Sequence, residues 1–119
     1  PDKIKLNDAV KQWGNVSALT YGFTTDNIEV IKKSMFDYIV EPVRSKLIPG
    51  YTEVKNVAIS SGAIGCSISG SGPSIFALCE DKRTALVVLN SMERCLKDKS
   101  INFHSYISSV NNEGIKILG

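Results

Sequence analysis

The sequence is poor in the residues that build metal sites and disulfide frameworks. It has a single histidine, His104, and only three cysteines, none of them in CxxC spacing. The odd count and the wide spacing argue against both a disulfide framework and a zinc centre. Cys66 and Cys79 lie in apolar runs, and Cys95 lies on the apolar face of a predicted helix. We therefore expect buried, reduced thiols, as in a cytoplasmic protein.

A strong charge of one sign and long apolar runs are also lacking. The 14 Lys and Arg residues nearly balance the 12 Asp and Glu residues, which leaves a net charge of +2. No basic cluster with interleaved aromatic residues appears, so we predict no nucleic-acid partner. No apolar run approaches the roughly 20 residues that span a bilayer, and no signal peptide is visible. We therefore predict no membrane association and a cytoplasmic location.

A complete catalytic apparatus is missing as well. No Ser/His/Asp set and no cluster of metal ligands can be assembled, so we assign no catalytic residue and no metal site. Gly65 and Gly70 have the spacing of the outer glycines in the phosphate loop GxxxxGK, but Ser71 stands where that loop needs lysine. His104 follows Phe103 in a predicted strand and is expected to be structural or exposed. The residues therefore suit recognition of a ligand more than chemistry on it.

What the sequence does contain is the pattern of one folded domain. Its 119 residues, 43% of them hydrophobic, fit a single domain with its own core. Apolar residues at helical spacing predict a helix that ends at Gly22 and a second that starts at Asp26 and stops before Pro42. Further helices are predicted over residues 51–61 and from Asp81 onward.

Strand patterns complete the predicted architecture. Residues 63–69, 74–80, 103–110 and 115–118 are expected to form strands, and tight turns are expected to join them in pairs. The element order is then ααα-ββ-α-ββ, which requires no crossover between parallel strands. We predict an α+β fold in which helices pack on one face of an antiparallel sheet.

The most informative segment is glycine-rich and joins the first two predicted strands. Residues 69–74 are Ser-Gly-Ser-Gly-Pro-Ser. Glycine tolerates positive φ and lets another molecule approach the backbone, and successive N–H groups in such a loop can bind an anion. The alternative is a tight connection in which the glycines serve the turn alone. The residues leave both interpretations open.

A short basic segment is the second candidate. Residues 41–50 are predicted to form a loop with two prolines, in which Arg44 follows the rigid Pro42 by two positions. A guanidinium on a stiff loop suits bidentate binding of a carboxylate or a phosphate. The alternative is an exposed arginine on the surface, paired with Glu41.

Three separated motifs together resemble one known family. Residues 62–78, which include the glycine-rich segment, resemble the third conserved motif of the GHMP kinases. Residues 39–44, Ile-Val-Glu-Pro-Val-Arg, followed by Leu-Ile-Pro-Gly at 47–50, resemble the homoserine kinase branch of that family, as do residues 12–16, Gln-Trp-Gly-Asn-Val. The motifs agree in order and spacing. The resemblance implies the C-terminal domain of such a kinase, which is ferredoxin-like α+β.

The resemblance also implies a reaction and roles for particular residues. In this branch the γ-phosphate of ATP passes to L-homoserine, which gives O-phospho-L-homoserine in threonine biosynthesis. Arg44 matches the arginine that binds the α-carboxylate of the substrate. Ser69 and Gly70 match positions of the loop that lie against the substrate, and Ser71 and Gly72 match the part near the phosphates of the nucleotide.

The remaining implication concerns what the chain does not contain. In the family, ATP and Mg²⁺ are bound mainly by an N-terminal kinase domain with a Pro-x-x-x-Gly-Leu-Gly-Ser-Ser loop, and that loop is not in this sequence. We expect residues 1–119 to be the C-terminal domain, to need the N-terminal domain as partner, and to be inactive alone. The alternatives are a stand-alone module that binds an amino acid or another protein, and a GHMP kinase of other specificity. A face left exposed could also support a homodimer.

Overall fold

The structure, a computed structural model, describes residues 3–115 and residue 117. In these residues the chain forms five α-helices and one hairpin of two antiparallel strands. In chain order the elements are α1 (Leu6–Thr24), α2 (Ile28–Ser34), α3 (Glu41–Arg44), a 3-10 turn (Ser45–Leu47), α4 (Tyr51–Ser60), β1 (Gly65–Ile68), β2 (Ile75–Leu78) and α5 (Lys82–Asp98). The predicted α+β class with an antiparallel sheet is confirmed.

The second helix ends earlier than the sequence predicted. We expected it to continue to Pro42, but its last residue is Ser34. Beyond that point the Asp37 carboxylate accepts hydrogen bonds from the backbone N–H groups of Ile39 and Val40, each at 2.8 Å. These local bonds replace helical ones. Pro42 therefore lies in the first turn of α3, where its missing N–H costs nothing.

One face of the two-stranded hairpin packs on the hydrophobic core of the domain. The strands pair antiparallel in a register that runs from Gly65 opposite Leu78 to Ile68 opposite Ile75. Cys66 of β1 joins Ala58 of α4 and Val88 of α5 in the buried core. Burial of these side chains supplies the main driving force that fixes the hairpin on α4 and α5.

The other face of the hairpin meets the segment that follows α2. A Cβ added to Gly65 would lie 2.9 Å from the Cβ of Met35, which is closer than real side chains approach. A second close approach joins the first two helices, since a Cβ at Gly22 would lie 2.8 Å from Cγ1 of Ile31. Glycine at these two positions therefore lets α1, α2 and the sheet form one unit.

The segment after α5 does not form the strand that was predicted over residues 103–110. It has no regular secondary structure, and within the described part of the chain no backbone hydrogen bond joins it to β2. Instead the Ser105 hydroxyl donates to Glu93, and the Lys97 ammonium lies 5.9 Å from the ring centroid of Phe103. Side chains, and not a strand ladder, hold this segment against α5. The fourth predicted strand, 115–118, lies partly outside the described residues.

Candidate functional site

The glycine-rich segment is the connection between β1 and β2. Two backbone hydrogen bonds close it: the N–H of Ser69 donates to the carbonyl of Ser74 at 2.8 Å, and the N–H of Gly72 donates to the carbonyl of Ser69 at 3.1 Å. Gly70 and Gly72 have φ of +59° and +77°, in the left-handed region that favours glycine. The turn itself therefore requires glycine at both positions, as the structural alternative predicted.

The two glycines differ in what surrounds them. A Cβ added at Gly72 would lie 3.0 Å from Cδ1 of Ile48 and 3.3 Å from Cγ2 of Ile68, so this glycine is packed against side chains. A Cβ at Gly70 would meet nothing within 4 Å. Gly72 therefore anchors the loop on the domain, whereas Gly70 leaves the outer part of the loop open to solvent.

The outer part of the loop presents backbone donors. Among the described residues, the N–H groups of Gly70 and Ser71 have no hydrogen-bond acceptor. Both residues are exposed, as is Ser69 with its hydroxyl. Consecutive free N–H groups of this kind attract an oxyanion. The loop thus has two roles: it connects β1 to β2, and it presents hydrogen-bond donors for an anion.

Arg44 lies at the end of α3, and not in a loop as we expected. It is exposed, and its Nη1 donates a hydrogen bond to the carbonyl oxygen of Ser71 at 2.9 Å. The structure therefore brings together the two segments that the sequence singled out separately. Because one guanidinium nitrogen is bonded to the loop, the position of the planar group is restrained, while its other N–H groups remain for a ligand.

Glu41 does not pair with Arg44, which was the alternative role for that arginine. Its carboxylate forms an ion pair with Lys55 of α4 and lies 3.4 Å from the hydroxyl of Ser67 on β1. The Glu41 and Lys55 side chains are 16% and 17% exposed. The sequence analysis missed Lys55. The signal that could have found it is a lysine next to the buried Val54 in an amphipathic helix.

Burial and nearby charge change the pKa values of two groups close to this ion pair, Tyr51 and Cys66. Burial raises the pKa of the Tyr51 hydroxyl, and the nearby Glu41 carboxylate raises that pKa further. Burial also raises the pKa of the Cys66 thiol to about 11. Both groups are therefore neutral at pH 7, and neither is a nucleophile or a general base at that pH.

The Gln-Trp-Gly-Asn motif of α1 holds the segment that leads into α3. The side-chain amide of Asn15 donates to the carbonyl of Phe36 at 2.8 Å, and the side-chain oxygen of Gln12 accepts from the N–H of Tyr38 at 2.9 Å. Trp13, between them, is 62% exposed. The motif thus holds the backbone three to five residues ahead of α3.

The described part of the chain contains no cluster of side chains suited to bind a metal ion. Over residues 3–115 and 117, no group of three or more His, Cys, Asp or Glu side chains could hold a metal ion. His104 is exposed in the irregular segment after α5. These residues therefore supply no cluster of three or more metal ligands. Nor does any helix among them have the length and apolar character that crossing a bilayer demands.

Comparison with protein families finds a model that matches most of the chain. The family model described as "GHMP kinases C terminal" matches residues 20–98. That span includes α3 with Arg44 and the whole loop between β1 and β2.

Comparison with individual proteins gives relatives named homoserine kinase. The chain is 42% identical over 120 residues to the homoserine kinase of Chlorobium phaeovibrioides and 46% identical over 121 residues to that of Chlorobium phaeobacteroides. Both matches cover 99% of this chain and 38% of the relative. A crystal structure of homoserine kinase from Cytophaga hutchinsonii matches 93% of this chain and 35% of that chain, with 47% identity and a TM-score of 0.91. The chain therefore spans little more than a third of the length of these proteins.

Proposed function

The chain belongs to the GHMP kinase family and matches the model of the family's C-terminal part, and we propose that it forms the substrate-binding side of a homoserine kinase. The full-length protein would transfer the γ-phosphate of ATP to L-homoserine and release O-phospho-L-homoserine and ADP. The relatives at 38–46% identity are named for that activity. This reaction would place the protein in threonine biosynthesis, in the cytoplasm.

One observation carries the proposal: Arg44 and the loop of residues 69–74 lie side by side, with 2.9 Å between Nη1 of Arg44 and the carbonyl oxygen of Ser71. In our proposal the free N–H groups of the Arg44 guanidinium bind the α-carboxylate of homoserine. Ser69 and Gly70 lie against the rest of the amino acid. The N–H of Ser71 and the backbone at Gly72 face the phosphates of the nucleotide.

These residues would act by positioning. The homoserine hydroxyl oxygen attacks the γ-phosphorus, the bond from that phosphorus to the oxygen that bridges to the β-phosphate breaks and releases ADP, and the hydroxyl proton passes to solvent. Catalysis of such a transfer depends mainly on alignment of the two oxygens and on stabilisation of charge. A carboxylate held by Arg44 fixes one end of homoserine, so its hydroxyl is presented in a defined direction.

The rest of the full-length protein would supply the other half of the site. ATP would be bound there with its Mg²⁺, which supplies charge neutralisation on the phosphates. The described residues of this chain hold no metal cluster of their own. We therefore propose that the chain needs this N-terminal kinase domain as its partner and is inactive alone.

We also propose that the full-length protein forms a homodimer through an apolar surface of α1. Leu6, Val10 and Trp13 lie along one side of α1 and are 72%, 52% and 62% exposed. An apolar stripe of this kind is typical of a surface that is covered in the assembled protein. Sedimentation of the full-length protein, with and without a Trp13→Glu substitution, would show whether a second copy covers it.

The proposed function is tested by the reaction itself. The full-length protein should convert ATP and L-homoserine to ADP and O-phospho-L-homoserine, measured by mass spectrometry. Residues 1–119 alone should give no product. Mevalonate and galactose, offered in parallel, should be poor substrates. Product from either of them at the rate seen with homoserine would contradict the specificity. Calorimetric binding of homoserine or threonine by a naturally free-standing chain would favour a sensing module instead.

A further inference from the structure

The helix that carries Arg44 cannot hold its own conformation. α3 has four residues, too few for a stable helix in water. Its N-cap residue, Val40, contributes no side-chain hydrogen bond to the helix end. The direction of the Arg44 side chain must therefore be set by contacts between α3 and the rest of the domain.

The first of these contacts is made by the other end of the same helix. Glu41 pairs with Lys55 on α4 and accepts from the Ser67 hydroxyl on β1, so one carboxylate ties α3 to two elements of the core. Both members of the ion pair are less than a fifth exposed. A charged hydrogen bond that is shielded from water is stronger and more restrictive than one on the surface.

The second contact fixes the segment just before the helix. The Lys55 ammonium lies 5.5 Å from the ring centroid of Phe36 and 6.0 Å from that of Tyr51. A cation within about 6 Å of an aromatic ring centroid, over the face of the ring, is attracted to that ring. Lys55 therefore contacts the chain on the N-terminal side of α3 as well as the first residue of the helix.

We propose that Lys55 and Glu41 are positioning residues, whose partly buried ion pair holds α3 so that Arg44 lies against Ser71 and faces the carboxylate of the substrate. Glu41 and Arg44 are three positions apart, about one helical turn, so any rotation of α3 that breaks the ion pair also displaces the guanidinium. Lys55 itself is committed to Glu41 and does not touch the substrate. This inference rests on the proposed function and adds a determinant of homoserine affinity outside the substrate-binding surface.

The test uses the full-length protein and compares the KM values for homoserine and ATP. Lys55→Met removes the charge and keeps most of the length of the side chain. It should raise the KM for homoserine by about 10-fold to 100-fold, the range expected from misplacing a binding group by about 1 Å. The KM for ATP should change by less than about twofold, because the nucleotide is bound elsewhere. Lys55→Arg, which can still pair with Glu41, should recover most of the affinity.

A double substitution separates positioning from general destabilisation. If Lys55 acts through Arg44, adding Lys55→Met to an Arg44→Ala protein should raise the KM for homoserine by less than about twofold further, since the two effects are not additive. Glu41→Gln is a second test if Lys55→Met fails to fold. It should also raise the KM for homoserine.

A matched control is provided by a second ion pair that involves helix α4. Lys99 pairs with Glu53 at 2.7 Å, and this ion pair joins α4 to the residue that follows α5. Lys99→Met should leave both KM values unchanged.

Two results would overturn the inference: equal changes in both KM values for Lys55→Met and Glu41→Gln, or a full effect of Lys55→Met in the Arg44→Ala background. If the wild-type protein does not phosphorylate homoserine, the proposed function itself is wrong.

Discussion

The Arg44 side chain and the carbonyl of Ser71 are joined by a hydrogen bond of 2.9 Å across 27 positions of sequence. This bond connects the last residue of α3 with the outermost part of the loop between β1 and β2. A movement of the loop would therefore displace the guanidinium, and the reverse. In our proposal these two segments bind the same substrate. The hydrogen bond couples their positions in the absence of a ligand.

The first prediction concerns the two glycines of the loop. Gly72→Ala should lower the free energy of unfolding of the full-length protein by about 2–4 kcal/mol, because it adds a left-handed backbone penalty to overpacking against Ile48. Gly70→Ala carries the backbone penalty alone, about 1–2 kcal/mol, since nothing lies within 4 Å of the added Cβ. Urea titration of both variants measures the difference.

Equal losses for the two variants would show that Gly72 is not packed against Ile48. A third variant serves as a control in the same experiment. Gly14→Ala lies inside α1 with nothing within 4 Å of the new Cβ, so it should stabilise the protein by about 1 kcal/mol through helix propensity.

The second prediction concerns the buried thiol of Cys66. Its side chain is 1% exposed, and burial raises its pKa to about 11, so both access and thiolate formation are suppressed. In the native protein at pH 8, iodoacetamide should modify Cys95 well before Cys66, as read by peptide mass spectrometry. In urea the two rates should converge. Native labelling of Cys66 at the unfolded rate would contradict its place in the core.

The third prediction concerns pH and the start of α5. The N–H of Thr84 donates to the Asp81 carboxylate at 2.7 Å, and this bond holds the pKa of the carboxyl below its usual value of 3.8. A depressed pKa in the folded state means that the stabilisation is complete above the unfolded pKa and is lost as pH falls through the folded pKa. Asp81→Ala should therefore lower Tm at pH 7.

Below about pH 4 the Tm of Asp81→Ala should approach that of the wild type, because protonation removes the same interaction. Asp81→Asn keeps an acceptor for the Thr84 N–H without a titrating group. Its Tm at pH 7 should lie nearer to that of the wild type. A difference between wild type and Asp81→Ala that does not depend on pH would refute the role of the charged cap.

The sequence predicted those elements whose local signals agree with their packing. Asp81 caps α5 as its position suggested, and its side chain bonds the N–H of Thr84. Gly62 follows the end of α4, where a stop was expected. The two central strands were also predicted, with ends shifted by a few residues, because apolar runs bounded by glycine specify a hairpin.

The errors arose where tertiary contacts or local side-chain bonds decided the outcome. The sequence predicts that Pro42 stops α2, but the Asp37 side chain diverts the backbone earlier and Pro42 lies in the first turn of a new helix. Residues 103–110 alternate like a strand, yet a strand also needs a partner edge, and alternation alone does not supply one. Lys55 could not be assigned, since its partners Glu41 and Phe36 come from other segments.

In the candidate site, too, the sequence predicted some features, while others depended on tertiary contacts. The motifs at residues 39–44 and 62–78 identified Arg44 and the loop, and the structure brings them into contact. The sequence could not show that Arg44 stands on a four-residue helix, or that Glu41 turns away from it towards α4. Those facts depend on contacts of the Glu41 side chain with Lys55 of α4 and Ser67 of β1.

The most direct test of the central claim is the KM of the full-length Arg44→Ala protein for its two substrates. Loss of a charged, bidentate contact to the carboxylate should raise the KM for L-homoserine by about 100-fold, while the KM for ATP stays within about twofold of the wild type. Arg44→Lys, which keeps the charge without the planar fork, should fall between. Equal increases in both KM values, or no increase for homoserine, would contradict the assignment of Arg44 as the carboxylate-binding residue.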